Sequence, residues 1–230
     1  MDHVVAAESM SLEEAVKSRR SVRAYLDKPV PPEVLRQVFD MAQWAPSNCN
    51  IQPWRVLVAS GDVRDRIRAR LLESVMGGQA TRPDYDYPPK FEADFRRRQV
   101  ECAVAMYSKM GIARDDSAGR AKATLRNFEL FDAPHVAFIC MHKSFGVTVA
   151  VDVGMYAQTL MLAMTAHGLS SCAQGSMRYY PDIVREEFGV ADDDFRILFG
   201  ISFGYEDPSD VVNETRTTRD PIDASVIFKG

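Results

Sequence analysis

Cysteine is scarce. The 230 residues hold four, at positions 49, 102, 140 and 172, and no two form a C-x-x-C pair. That excludes a zinc ribbon and a thioredoxin-type motif, and so few thiols over this length fit a reducing cytoplasm. Positive charge is not in excess either: 28 Lys and Arg stand against 32 Asp and Glu, a net charge of -4. The chain therefore has no bulk attraction for nucleic acid or an acidic membrane. No G-x-G-x-x-G and no G-x-x-x-x-G-K-[ST] occurs, so neither a Rossmann fingerprint nor a P-loop is indicated. An uninterrupted apolar run is missing. Val147 to Leu169 comes nearest, but Asp152, Gln158 and His167 break it, and it reads as a buried helix of a soluble protein. Met1 to Met10 carries Asp2 and Glu8 without an apolar core, which is not the pattern of a signal peptide. No histidine follows His167, so Gly200-Ile-Ser-Phe-Gly204 lacks the partner that a nucleophile elbow needs, and Ser202 reads as a strand residue. His135 and His142 have no Cys or carboxylate at ligand spacing, so no metal is expected.

What is present is an ordinary globular composition, 46% hydrophobic and 26% charged, enough for one domain over residues 1–230 with a sizeable core. Ser11-Leu-Glu-Glu14 is a capping box that starts a short helix ending near Ser18. Pro31 and Pro32 open a second helix with an apolar stripe of Val34, Leu35, Val38, Phe39 and Ala42. Trp54 to Ala59 reads as a strand buried on both faces. A charged helix runs to about Val75, and polar helices follow from Phe91 to Lys109 and from Ser117 to Leu130. Val136 to Met141 is a strong strand. The apolar helix, Val149 to His167, closes on Gly168. Short strands at Ser170–Ala173 and Phe195–Phe203 flank a helix at Tyr180–Phe188. Few strands among uneven helices predict an α+β domain, a small sheet wrapped by helices. The polar stretch of about 77–119 reads as an excursion or lid.

Four stretches carry chemistry. Arg19-Arg20-Ser21-Val22-Arg23 offers guanidiniums whose planar forks pair with phosphate. Ala45 to Trp54 packs Ser47, Asn48, Asn50 and Gln52 between two prolines, giving donors and acceptors for a heterocycle edge or a polyol. Ala173-Gln174-Gly175-Ser176 ends a strand with a glycine that lets a ligand approach the backbone. Asn213 to Pro221 brings Arg216 and Arg219, which could close on the same phosphate.

In this order, with the Asn127–Pro134 run N-F-E-L-F-D-A-P, the apolar helix and F-G-I-S-F-G-Y before Asn213, these stretches resemble the flavin-dependent nitroreductase family. The excursion with Tyr85 and Tyr87 is similar to a nitrobenzoate-type subgroup. The resemblance implies a mainly antiparallel central sheet and an FMN-binding homodimer with C-terminal exchange. It implies that Arg19, Arg20 and Ser21 contact phosphate and ribityl, and that Arg23 sits near the flavin N1/O2 edge. Pro46, Ser47, Asn48 and Asn50 would line the flavin, Gln174 and Gly175 would offer backbone contacts near N5, and Arg219, with Arg216 beside it, would bind phosphate. Glu129 lies near the position of a ring-contacting lysine in the family, and Asn127 is the better polar candidate for that contact. Cys49, Tyr85 and Tyr87 are the substrate-side candidates. No side chain is expected to act as nucleophile. NAD(P)H would be the electron donor and a nitroaromatic or related electrophile the acceptor, by a ping-pong mechanism. A reductive dehalogenase or enoate-type reductase shares the scaffold, and a non-catalytic FMN binder is the alternative outside enzymes. The apolar helix and the apolar tail Val226-Ile227-Phe228 both argue for a partner subunit.

Overall fold

The computed structural model describes residues 10–86, 90–190 and 194–230. In chain order the elements are α1 (Leu12–Ser18), α2 (Pro32–Ala42), β1 (Trp54–Ser60), α3 (Gly61–Met76), α4 (Ala93–Lys109), α5 (Ser117–Leu125), β2 (His135–His142), α6 (Val147–Ala166), β3 (Ser170–Gln174), α7 (Pro181–Glu187) and β4 (Phe195–Gly204). The strands form one sheet in the order β1-β2-β4-β3, antiparallel at every pairing.

The two-residue period of a strand builds two cores from one sheet. Along β2, Ala137, Ile139 and Met141 face one way, onto α2 and α6. Val136, Phe138 and Cys140 face the other, onto α3 and α7, where Ile67, Leu71 and Val184 are buried. Helices on both faces leave β2 without a solvent side, which explains its continuous apolar sequence. Trp54 stacks on Tyr156 of α6 with centroids 4.8 Å apart, tying β1 to the helix. Gly200 is required in β4, because a Cβ there would lie 2.5 Å from Met177 Cγ. Its absence lets the turn after β3 seat on the sheet.

Local chemistry sets the element ends. The Ser11 N–H donates to Glu14 Oε2 at 2.8 Å, and Ser11 Oγ accepts the Glu14 N–H at 3.2 Å, completing the capping box. Gly168 takes φ +72° after α6, and the Leu169 N–H returns to the Met164 carbonyl at 2.9 Å.

Three sequence expectations change. β1 is an edge strand, so only Trp54 and Ala59 are buried and its middle residues are half-covered. The α5 pattern does not reach Leu130. The helix stops at Leu125, and Leu130, Phe131 and Asp132 follow with φ of 58°, 55° and 60°. The apolar helix α6 is not buried all round. Val153, Tyr156, Ala157 and Leu160 enter the core, while Val147 and Val151 are exposed.

The excursion is not a free lid at its start. Asp84, itself buried, accepts Arg185 Nη1 at 2.7 Å and the Ile197 N–H at 2.8 Å. The Tyr180 hydroxyl donates to the Gln79 carbonyl at 3.1 Å, and the Arg82 N–H to the Tyr179 carbonyl at 2.9 Å. Residues 79–84 are thereby pinned to α7 and β4.

His135 is a second internal polar anchor. Its Nε2 accepts the Val30 N–H at 3.0 Å, so the ring proton sits on Nδ1, 2.5 Å from Ser60 Oγ. Burial, with Arg64 nearby, pushes the imidazole down to about 4.

Two outcomes follow for stability. The unfolded imidazole titrates near 6.5 and the folded one near 4, so the unfolded chain takes up the proton first. This contribution is intact above pH 6.5 and is lost as the pH falls towards 4, by about 3 kcal/mol in all. Urea unfolding from pH 7 to pH 4.5 should show that slope in the wild type, and His135→Gln should flatten it; parallel slopes would contradict the assignment. Asp84→Ala removes the buried partner of Arg185, leaving it only the exposed Asp182, and should cost about 3 kcal/mol. Breaking the exposed pair between Arg66 and Glu187 should cost about 1 kcal/mol or less, and equal losses would show that the Asp84 anchor is only a surface contact.

Candidate functional site

After α1 the chain turns extended, and Val22 and Ala24 point inward while Ser21 and Arg23 point out. The segment lies beside β3: Ser21 bridges Ser171 in parallel, and the Val22 N–H donates to the Ser171 carbonyl at 3.2 Å. The buried Tyr25 hydroxyl lies 2.9 Å from the Val22 carbonyl and 3.1 Å from that of Ser202, and burial raises it well above the ordinary phenol range. Beneath Ser21, burial pushes the Cys172 thiol up, which leaves it a packing group.

Asn213 fixes the same segment from the other side. Its Oδ1 accepts the Arg23 N–H at 2.8 Å, and its Nδ2 donates to the carbonyls of Ala24 and Asp207, both at 2.9 Å. The structure thus joins the first stretch, 19–23, to the third at β3 and to the start of the fourth. A buried, fully bonded Asn213 is a clamp; sequence reading had noted only its place in the fourth stretch.

Arg23 lines a small pocket of about 240 Å³ with Asn127, Arg126 and Phe131. Arg126 Nη2 donates to the Arg23 carbonyl at 3.1 Å. Asn127 is held by Gln174, whose Nε2 donates to the Asn127 carbonyl at 2.8 Å and whose Oε1 accepts from Ser202 Oγ. The Gln174 side chain is buried and spent inside the protein, so this position offers its backbone. Gly175 follows, its carbonyl accepting Arg178 Nη1 at 2.9 Å, and a Cβ here would lie 3.0 Å from that guanidinium. The left-handed run at 130–132 lies directly behind this pocket. For bulky residues such backbone costs of order 1–3 kcal/mol each and gathers at functional sites.

The charged groups are unevenly free. Arg20 pairs with Glu206, a partner the sequence reading did not weigh. Arg216 Nη1 folds back on the carbonyls of Asn213 and Thr215, at 2.8 and 3.0 Å. Arg219 is exposed, held by Thr217 Oγ1 at 3.0 Å and the Thr218 carbonyl at 2.8 Å. Both line a groove against α4 with Arg98 and Cys102. Four buried polar atoms in these stretches have no partner among the described residues: Arg20 Nε, Ser171 Oγ, Ser176 Oγ and Thr215 Oγ1.

The second stretch is held elsewhere in the chain. The Asn48 N–H donates to the buried carboxylate of Asp152 on α6 at 3.1 Å, and Ser47 Oγ accepts the Gln52 N–H at 3.0 Å. Cys49, Asn50 and Gln52 take φ of 49°, 56° and 48°, so the loop presents Cys49 and Asn50 to solvent from a strained backbone. Pro46 is also exposed. Asp152, read from sequence only as a break in an apolar helix, is the group that orients this loop. A lone buried carboxylate in such a helix is the signal that could have found it. Tyr85 is half-buried against the α2/α6 core, its hydroxyl enclosed, and burial with Asp84 nearby raises its pKa. Tyr87 lies outside the described residues.

The nitroreductase family model matches residues 16–205. A nitroreductase named NfnB from Mycolicibacterium smegmatis is 39% identical over 92% of this chain and 89% of its own length. A 4-nitrobenzoate reductase from a Nocardioides species is 33% identical over 93% of this chain and 87% of its own. The crystal structure of the FMN-dependent nitroreductase NfnB from Mycobacterium smegmatis in complex with NADPH superposes with a TM-score of 0.90, covering 95% of this chain and 97% of that one. The match spans α1 to the end of β4, and with it the first three stretches and the sheet that positions them. The chain belongs to the nitroreductase family.

Proposed function

We propose that the protein is a cytoplasmic, homodimeric FMN-dependent oxidoreductase that oxidises NAD(P)H and reduces nitroaromatic or related electrophilic acceptors. The observation that carries the reading is the gathering of 19–23, 171–176 and 213–219 around buried polar atoms without partners. An unmet buried polar atom costs about 1–3 kcal/mol, and a phosphorylated polyol chain has the oxygens to meet several at once. Arg19, Arg20 and Arg219, with Ser21, are the residues that would hold it, and Asn127 and the Gln174–Gly175 backbone would border the ring.

FMN, when bound, supplies two-electron redox chemistry. The protein supplies orientation and charge. Arg23 places a guanidinium in the pocket beside Asn127, where its positive charge would stabilise negative charge gained on reduction. In each turnover NAD(P)H gives up a hydride, and a nitro group takes two electrons and two protons to become nitroso and water, the second proton coming from solvent. Donor and acceptor use the same place in turn, which yields ping-pong kinetics. Cys49 and Asn50, exposed on the strained loop, are the acceptor-side candidates, together with Tyr85 and Tyr87.

Exposed apolar side chains support the dimer. Leu12 and Val16 of α1, Trp44, and Val147 and Val151 of α6 are all exposed, and so is the tail, with Phe228 77% exposed. Large apolar side chains left exposed in this number are what a subunit interface would cover. It also supplies a way to bring Pro46–Asn50 of one copy to Arg19–Arg23 of another, with the tail exchanged between them.

The purified protein should release FMN on denaturation and oxidise NAD(P)H with a nitroaromatic, giving parallel double-reciprocal lines. Loss of one charge-assisted phosphate contact costs roughly 1.5–3 kcal/mol, so Arg219→Ala should weaken FMN about 10- to 100-fold. Riboflavin, which lacks the phosphate, should be affected far less. Equal losses for both flavins would remove Arg219 from the phosphate site, and release of FAD, or no flavin, would sink the reading.

A further inference from the structure

α4 divides its cations between two sides. On one side Arg97 and Arg98 pair with Asp220, and Lys109 with Glu214, fastening the C-terminal segment. On the other, Arg96 lines a groove of about 500 Å³ with Arg114 and Arg120. Val104 and Tyr107 of α4 form part of its wall.

These three guanidiniums are poorly compensated. Arg96 spends one nitrogen on Gln99 Oε1 at 2.6 Å. Those of Arg114 and Arg120 have no hydrogen-bond or ion-pair partner among the described residues. Asp115 adjoins Arg114 in sequence but makes no ion pair among the described residues, and Asp116 is used to cap α5, accepting the Gly119 N–H at 2.8 Å. Like charges held in one concavity repel, and a multiply charged anion relieves that repulsion. Planar guanidinium forks match phosphate oxygens in particular. A merely solvated basic surface would need neither the concavity nor an apolar wall with an aromatic ring. Together they suit a nucleoside that carries a phosphate, and the volume falls in the range of small-ligand sites.

Position narrows the ligand. The groove shares Gln99 and Ala103 with the Arg23 pocket, so it opens beside the proposed flavin edge. A dinucleotide whose nicotinamide lies at that edge would run its adenosine end outward. We infer that Arg96, Arg114 and Arg120 recognise the adenosine 2′-phosphate of the donor, and so select NADPH over NADH. This rests on the NAD(P)H oxidoreductase reading above.

The test is made on the FMN-loaded protein. Calorimetry with adenosine 2′,5′-bisphosphate and with 5′-AMP should show the bisphosphate binding at least tenfold tighter. The double variant Arg114→Ala/Arg120→Ala should lose that margin, and Arg114→Lys/Arg120→Lys should keep part of it. In steady state the alanine variant's kcat/KM for NADPH should fall at least tenfold more than that for NADH. An unchanged binding margin, or equal falls for the two dinucleotides, would overturn the assignment. A wild-type protein that holds FMN but oxidises neither dinucleotide would overturn the underlying reading instead. The binding margin would then decide phosphate recognition by the groove alone, its presence supporting it and its absence refuting it.

Discussion

The site hangs on one amide. Asn213 satisfies the Arg23 N–H and the Ala24 and Asp207 carbonyls with a single buried side chain. Each bond is worth about 1 kcal/mol net, but each unmet group would cost its full desolvation. The clamp therefore decides where the 19–24 segment runs, and with it the direction of Arg23 and the start of the arginine-bearing tail. β3 closes the segment from the other side, and Gln174 at its end fixes Asn127. The sheet supplies the rigid floor, since β2 is buried on both faces and β4 accepts the 175–178 turn only through Gly200.

Strain marks the places where this framework gives way to function. Two groups of non-glycine residues adopt left-handed backbone, 130–132 at the Arg23 pocket, which Phe131 lines, and Cys49, Asn50 and Gln52 on the Asp152 loop. The first buries Leu130 and Phe131 in the core, whereas the second leaves Cys49 and Asn50 exposed. A strained loop held by a buried carboxylate is a rigid way to present polar groups outward. The exposed stripe on α6 beside it supplies the contact surface on which a second copy would meet it.

Much of this was legible in the residues. The apolar run of β2, the capping box at Ser11 and the proline start of α2 gave elements within a few positions of those observed. The arginine, amide and glycine stretches were visible because each is dense in one chemistry. The misses have physical causes. β1 reads like a buried strand because an edge strand that packs helices is as apolar as a central one. The α5 pattern overran because Leu130 and Phe131 are buried from a turn that apolar periodicity cannot distinguish from helix. The clamp of Asn213, the pairing of Arg20 with Glu206 and the orientation of the 46–50 loop by Asp152 join residues more than 100 positions apart, and local pattern carries no trace of them.

The central proposition is that 19–23 of one copy and 46–50 of another complete one FMN site. Co-expression of two differently tagged chains tests it. One carries Arg19→Ala/Arg23→Ala, and the other Asn48→Ala/Asn50→Gly, glycine keeping the left-handed backbone that Asn50 adopts. Each variant alone should lose FMN. A hybrid dimer then holds one site with both halves damaged and one with both intact, so it should recover FMN at one per dimer. If the site were contained within a single chain, both sites of the hybrid would be damaged, and no recovery of FMN would contradict the shared site.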